Sequence, residues 1–163
     1  MTPTLRPLRP GDLGWIVAAQ SRLYATEYGW GPEFEAVLLR VALDYAESTD
    51  PDKAGWIAEA GGQPLGAALL IRRAGGSEAA TTAQLRAVHV EQAARGQGIG
   101  GLLLDAVLAH ARARGFTRMV LETKDVLTAA HALYRSRGFA LVEERAQQAY
   151  GQSLHEQTWA RDL

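Results

Sequence analysis

Apolar positions along the 163-residue chain recur in two rhythms, one of three to four residues and one of two. A run from Thr4 to Leu8 predicts a short strand, and it leads into Arg9-Pro10-Gly11-Asp12, where Asp12 is placed to cap a helix. Leu13, Ile16, Val17, Gln20 and Tyr24 then follow at helical spacing until Gly29-Trp30-Gly31 breaks the pattern. Pro32 opens a second helix, in a first turn where its missing N–H costs nothing. Phe34, Val37, Leu38, Val41 and Tyr45 form the apolar stripe of that helix, and Asp50-Pro51 closes it.

The rhythm then shortens. Trp56-Ile57-Ala58 and Leu65 to Ile71 read as a hairpin joined by Ala60-Gly61-Gly62-Gln63, a turn rich in residues that tolerate positive φ. Arg73 to Thr82, with Gly75-Gly76-Ser77, predicts a flexible loop, and Ala83 to Val90 another strand. Gly98 to Arg114 predicts a helix with Ile99, Leu102, Leu103, Ala106, Val107 and His110 on one face. Arg112 and Arg114 suit its negative end, and Gly115 terminates it. Met119 to Thr123 is a strand, Thr128 to Arg137 a helix capped by Gly138, and Phe139–Val142 and Leu154–Ala160 are neighbouring final strands. The order βααβββαβαββ is that of a mixed α/β domain, a central sheet flanked by helices. With no repeat, linker or low-complexity tract, residues 1–163 read as one domain.

Composition narrows the function. A formal net charge of -1 gives no basic footprint for nucleic acid or an anionic membrane surface. The absence of cysteine removes disulfides, thiolate catalysis and Cys-ligated zinc. His110, His131 and His155 lack metal-like spacing, so no metal is expected. The N-terminus lacks a signal-peptide pattern, and no apolar run reaches the roughly 20 residues that span a bilayer. These features read as a cytoplasmic protein.

The strongest chemical signal is Arg95-Gly96-Gln97-Gly98-Ile99-Gly100-Gly101, between a strand and a helix. Glycines there let backbone N–H groups converge, the helix start adds partial positive charge, and Arg95 adds a full one, together suiting a pyrophosphate. A Gly-rich turn without a ligand is the plain alternative. Dinucleotide binding, as in an NAD-dependent oxidoreductase, is another, because Gly96, Gly98 and Gly101 satisfy G-x-G-x-x-G and Glu122 ends the next strand. Against it, Glu91 to Arg95 separates the strand from the first glycine, and a helical pair and a hairpin come first. A Walker A loop fails for want of Lys-Ser/Thr.

The segment Leu85 to Gly100 resembles the CoA-binding motif of GNAT acetyltransferases, in which Arg/Gln-x-x-Gly-x-Gly/Ala opens a helix after a strand. Ala130-His131-Ala132-Leu133-Tyr134-Arg135-Ser136-Arg137-Gly138-Phe139 is similar to the family's A-x-x-LY-x-x-x-GF signature, at the usual separation. The C-terminal residues Gln157 to Leu163 also resemble GNAT domains that follow a MarR-type module in some longer chains, although no such module is read here. The resemblance implies acetyl-CoA as cosubstrate and an amine acceptor, a small molecule or peptide, attacked directly in a ternary complex. Homodimerisation, common in the family, stays open.

By the resemblance, the strand Ala83–Val90 splays from its neighbour. Val88 N–H then polarises the thioester carbonyl, His89 and Val90 border the pantetheine arm, and Arg95, Gly96, Gln97, Gly98, Ile99, Gly100 and Gly101 cradle the pyrophosphate. Thr128 and Ala130 fall near the pantetheine, where relatives often carry an asparagine. Tyr134 matches the family's general acid, a phenol able to protonate the departing thiolate. Gln84 stands where many relatives have a glutamate base, which leaves Glu122 and His89 as nominees and a non-catalytic acyl-CoA-binding regulator as the rival function. Glu27, Tyr28, Trp30 and Glu35 fall in the expected acceptor loop, where acidic and aromatic groups suit a cationic amine.

Overall fold

The computed structural model describes residues 1–163. Strand alternation separates its two faces. In β2 (Ala54–Ala60) and β3 (Gln63–Arg72), Ile57, Ala67 and Leu69 point one way, and Ala58, Ala68 and Leu70 the other. All six are sealed from solvent, so both faces need a cover, and helices supply it. α1 (Asp12–Tyr28) and α2 (Pro32–Glu47) cover the first face with Ile16 and Val41. α3 (Ile99–Ala113) and α4 (Thr128–Ser136) cover the second, where Leu103, Leu104, Val107 and Tyr134 join an 18-residue core.

With β1 (Thr4–Pro7), β4 (Thr82–Val90), β5 (Arg118–Lys124), β6 (Ala140–Ala149) and β7 (Gln152–Asp162), the strands form one seven-stranded sheet. Its order is β1-β2-β3-β4-β5-β7-β6, and the chain order is the βααβββαβαββ predicted from the hydrophobic rhythm. Every neighbouring pair is antiparallel except β4 and β5, which α3 connects. No helix is long and apolar enough to cross a membrane.

Local details depart from the sequence reading. Gly11, at φ 96, is the N-cap of α1, and Asp12 is the first helical residue. The Asp12 carboxylate instead accepts from Arg9 N–H at 2.6 Å and from the Arg6 guanidinium at 2.7 Å. The buried stripe of α3 runs through Leu104, Leu108 and Ala111, which leaves Leu102 exposed. β6 extends to Ala149 because its ladder to β7 continues that far, although the added residues, Glu143 to Ala149, are mostly polar and exposed at the sheet edge. Thr82, expected in a loop, begins β4 after a single 3₁₀ turn, Ala79–Thr81.

Candidate active site

β4 and β5 pair only over Thr82–Leu85 and Arg118–Leu121, and beyond these residues the sheet forks. Two features set the course of β4 at the fork. Ala87 and Val88 together oppose Ala68 of β3, a bulge that bends the strand, and Ala87 adopts φ 53 despite its Cβ. Gln20 of α1 then donates from Nε2 to the Val88 carbonyl at 3.0 Å. Gln20 is buried, and its Oε1 has no partner.

The start of α3 lies beside the fork. Gly96 and Gly98 have φ of 78° and 77°, and a Cβ at either would meet nothing, so backbone conformation rather than crowding requires glycine there. The first helix-closing bond runs from Leu102 N–H to the Gly98 carbonyl, which leaves the N–H groups of Ile99, Gly100 and Gly101 without intrahelical partners. No side chain caps them and no acidic residue sits in the first turn. At Gly100 the reason for glycine differs, since a Cβ would lie 2.8 Å from Leu133 Cδ2 and force that side chain to shift.

Fork and helix start open into one cleft of about 670 Å³. Val88, His89, Val90, Arg95, Gly96, Gly98, Ile99, Gly100, Gly101, Ala130 and Tyr134 line it, as do Glu122, Glu27, Tyr28 and Trp30. Gln97, Thr128 and Glu35 lie outside the lining, and all three are exposed. Gln20, Tyr24, Arg86, Lys124 and Tyr150 line the cleft without any signal in the sequence motifs. Tyr150 could not have been anticipated, because it takes the left-handed φ of 54° beside Gly151 in the β6–β7 turn.

The side chains differ in how accessible they are. Tyr134 is buried, and that burial pushes its phenol well above the ordinary range, so it stays protonated. Tyr24, nearby, is pushed up to about 12 by burial. The His89 ring meets Trp15 edge-on at 5.8 Å, and burial lowers its pKa. Its Nε2 is 3.4 Å from Glu91 Oε1 and is otherwise sealed. Glu122, by contrast, is exposed and takes part in none of the ion pairs. Arg95 meets Glu27 Oε1 at 2.6 Å; that oxygen lies off the N–H axis, so the contact is an ion pair without a hydrogen bond. Trp30 belongs to an aromatic cluster with Tyr24, Tyr28, Phe34 and Tyr150 and donates to Gln152 Oε1 at 3.3 Å, the contacts of a core residue.

Solved structures share this fold. A phosphinothricin acetyltransferase from Sinorhizobium meliloti, in complex with AcCoA, superposes with a TM-score of 0.80 at 24% identity, covering 100% of this chain and 89% of that one. The putative acetyltransferase yncA from Salmonella typhimurium, with acetyl-CoA, gives 0.81 at 19% identity over 99% and 94%. In sequence, N-acetyltransferase 8F1 of Rattus norvegicus is 34% identical over 90 residues, 55% of this chain and 41% of that protein. The uncharacterized N-acetyltransferase YjgM of Escherichia coli (strain K12) is 28% identical over 87% of this chain and 84% of its own. The chain thus spans less than half the length of the rat relative. The family model described as acetyltransferase (GNAT) family matches residues 18–139. The chain belongs to the GNAT acetyltransferase family. The dinucleotide-binding alternative loses its footing, because that fold is built from successive parallel βαβ units and only one strand pair here is parallel.

Proposed function

We propose that the protein is an acetyl-CoA-dependent N-acetyltransferase that holds donor and amine in one ternary complex. The observation that carries this reading is the fork opening beside an uncapped helix start within a single cleft. The residues present fit the donor. Ile99, Gly100 and Gly101 offer free N–H groups at the positive end of α3, suited to a pyrophosphate, and Arg95 adds charge that it shares with Glu27. The unpaired edge of β4 from Arg86 to Val90 offers backbone groups to the pantetheine amides.

Acetyl-CoA supplies an activated acetyl thioester. Val88 N–H, set by the bulge and by Gln20, is the backbone donor for the negative charge that develops on the thioester oxygen. Glu122 takes a proton from the incoming ammonium, a role for which its access suits it better than the sealed His89. As the C–N bond forms and the C–S bond breaks, Tyr134 gives its proton to the sulfur and is restored by the proton shed from the new amide nitrogen.

Gln84 lines the cleft and cannot serve as a base, which favours a second reading, a non-catalytic acyl-CoA binder. Thiol release from acetyl-CoA across a panel of amines separates the two. Amine-dependent release far above solvent hydrolysis is expected; acetyl-CoA binding with no release for any amine would establish the second reading.

A further inference from the structure

Arg86 and Glu122 are the first residues beyond the last paired ones, Leu85 and Leu121, one on each arm of the fork. Leu85 and Leu121 both enter the core beneath α3, so the next side chain on each strand turns to the opposite face of the sheet. Arg86 shows this directly, with Nη1 3.2 Å from Asp44 Oδ2 of α2. Adjacent strands lie about 4.8 Å apart where they pair, and opposite charges at that spacing ordinarily join. Here the splay keeps them apart, and Arg86 and Glu122 form no ion pair with each other. Both line the cleft.

Their neighbours sharpen the picture. Lys124, two residues further along β5, is already held by Gln147 at 2.5 Å and Glu156 at 3.3 Å. Val37, Leu38 and Val41 of α2 bring only apolar surface to the cleft. The one partner of Arg86, Asp44, is 60% exposed, so solvent can take it over when another carboxylate reaches the guanidinium. A cation tethered only to an exposed aspartate and an uncommitted carboxylate therefore stand on opposite arms of the fork, with no internal group that satisfies both.

Resting on the reading of the cleft as an N-acetyltransferase site, we infer that the acceptor is a zwitterion, a free α-amino acid. Its carboxylate is held by Arg86, whose planar fork of N–H donors matches a carboxylate, and its ammonium lies against Glu122. Arg86 is then the specificity-determining residue. It fixes the α-nitrogen next to the group that removes its proton and excludes amines that bring no anion. Asp44 competes with the substrate for Arg86.

The test uses the full chain and matched acceptor trios: an α-amino acid, its carboxamide and its decarboxylated amine, with side chains from the acidic, basic and apolar classes. Thiol release is read for each, and acetyl-CoA affinity is measured by calorimetry on the same preparation. In the best trio, the carboxylate-bearing member should lead in kcat/KM by about tenfold or more. Arg86→Gln should bring that ratio near one, mainly through KM, with acetyl-CoA affinity and melting temperature unchanged, and Arg86→Lys should restore part of it. Asp44→Asn should lower KM for the amino acid alone. Equal or faster turnover of the neutral-headed amines, turnover of no carboxylate-bearing member, or an unchanged ratio in a folded Arg86→Gln would overturn the inference. Failure of the wild-type chain to bind acetyl-CoA would sink the underlying reading instead.

Discussion

Tyr134 sits where burial and chemistry make different demands. Burial raises its pKa, which keeps the proton on the oxygen but makes it a reluctant donor to a thiolate, whose ordinary pKa is about 8.5. In the proposed transfer the same apolar surroundings disfavour the thiolate, so the two desolvation effects partly cancel. Tyr134→Phe keeps the ring against Phe139 and Trp159 and removes only the hydroxyl. It should lower kcat by about 10²–10⁴-fold with little change in acetyl-CoA affinity or melting temperature. A structural tyrosine would show the reverse, near-normal kcat with an altered melting temperature. Because the phenol is raised rather than lowered, the activity of the wild type should show no loss from Tyr134 ionisation below about pH 10. At this scale the positive-φ glycines were legible from the turn they form, whereas Tyr134 was singled out only by the family resemblance. Gln20, Arg86 and Tyr150 were not, because their roles come from partners or a turn geometry that long-range packing decides.

At the level of elements, the entry into α1 illustrates how a local signal can be redirected. The Asp12 carboxylate was expected to cap its helix, but a guanidinium from β1 reaches it. Arg6 holds both Asp12 and Glu59 of β2, at 2.7 and 2.6 Å, with all three side chains largely buried. Arg6→Met leaves two carboxylates without their cation and should cost on the order of 3 kcal/mol in a denaturant titration. The hydrogen bonds from Arg6, with help from Arg9 N–H, lower the pKa of Asp12. A lowered carboxylate stabilises the fold fully above its unfolded pKa of about 3.9, and that contribution fades as pH falls through the folded value. The melting temperature of the wild type should therefore fall on acidification below about pH 4, and Arg6→Met should flatten part of that slope, since Asp50 and Asp125 are lowered as well. An equally steep acid limb in the variant would assign it to other carboxylates. The length of β6 was hidden for a related reason: an edge strand exposed on both faces has no hydrophobic alternation to read.

For the whole molecule, the order of elements was legible because two hydrophobic faces on the sheet force helices onto both sides. The fork was not legible in the apolar pattern, where Ala83 to Val90 reads as one ordinary strand; only the family resemblance suggested it. Physically it falls at the single parallel junction, between an antiparallel unit that ends in β4 and another that begins with β5. Each strand keeps its ladder on its outer side, interrupted in β4 by the bulge at Ala87 and Val88, so the junction can open without breaking either unit. The helix start of α3 lies at that opening, and in the proposed function the two together seat acetyl-CoA. Calorimetric titration of acetyl-CoA into the wild-type chain and into Gly98→Val decides whether they do. Valine at a φ of 77° has room for its Cβ but not the backbone preference, so it should distort the loop while leaving the core intact. Saturable one-to-one binding in the wild type and its loss in a Gly98→Val protein of native circular dichroism are expected; no binding by the wild type, or undiminished binding by the folded variant, would refute the assignment.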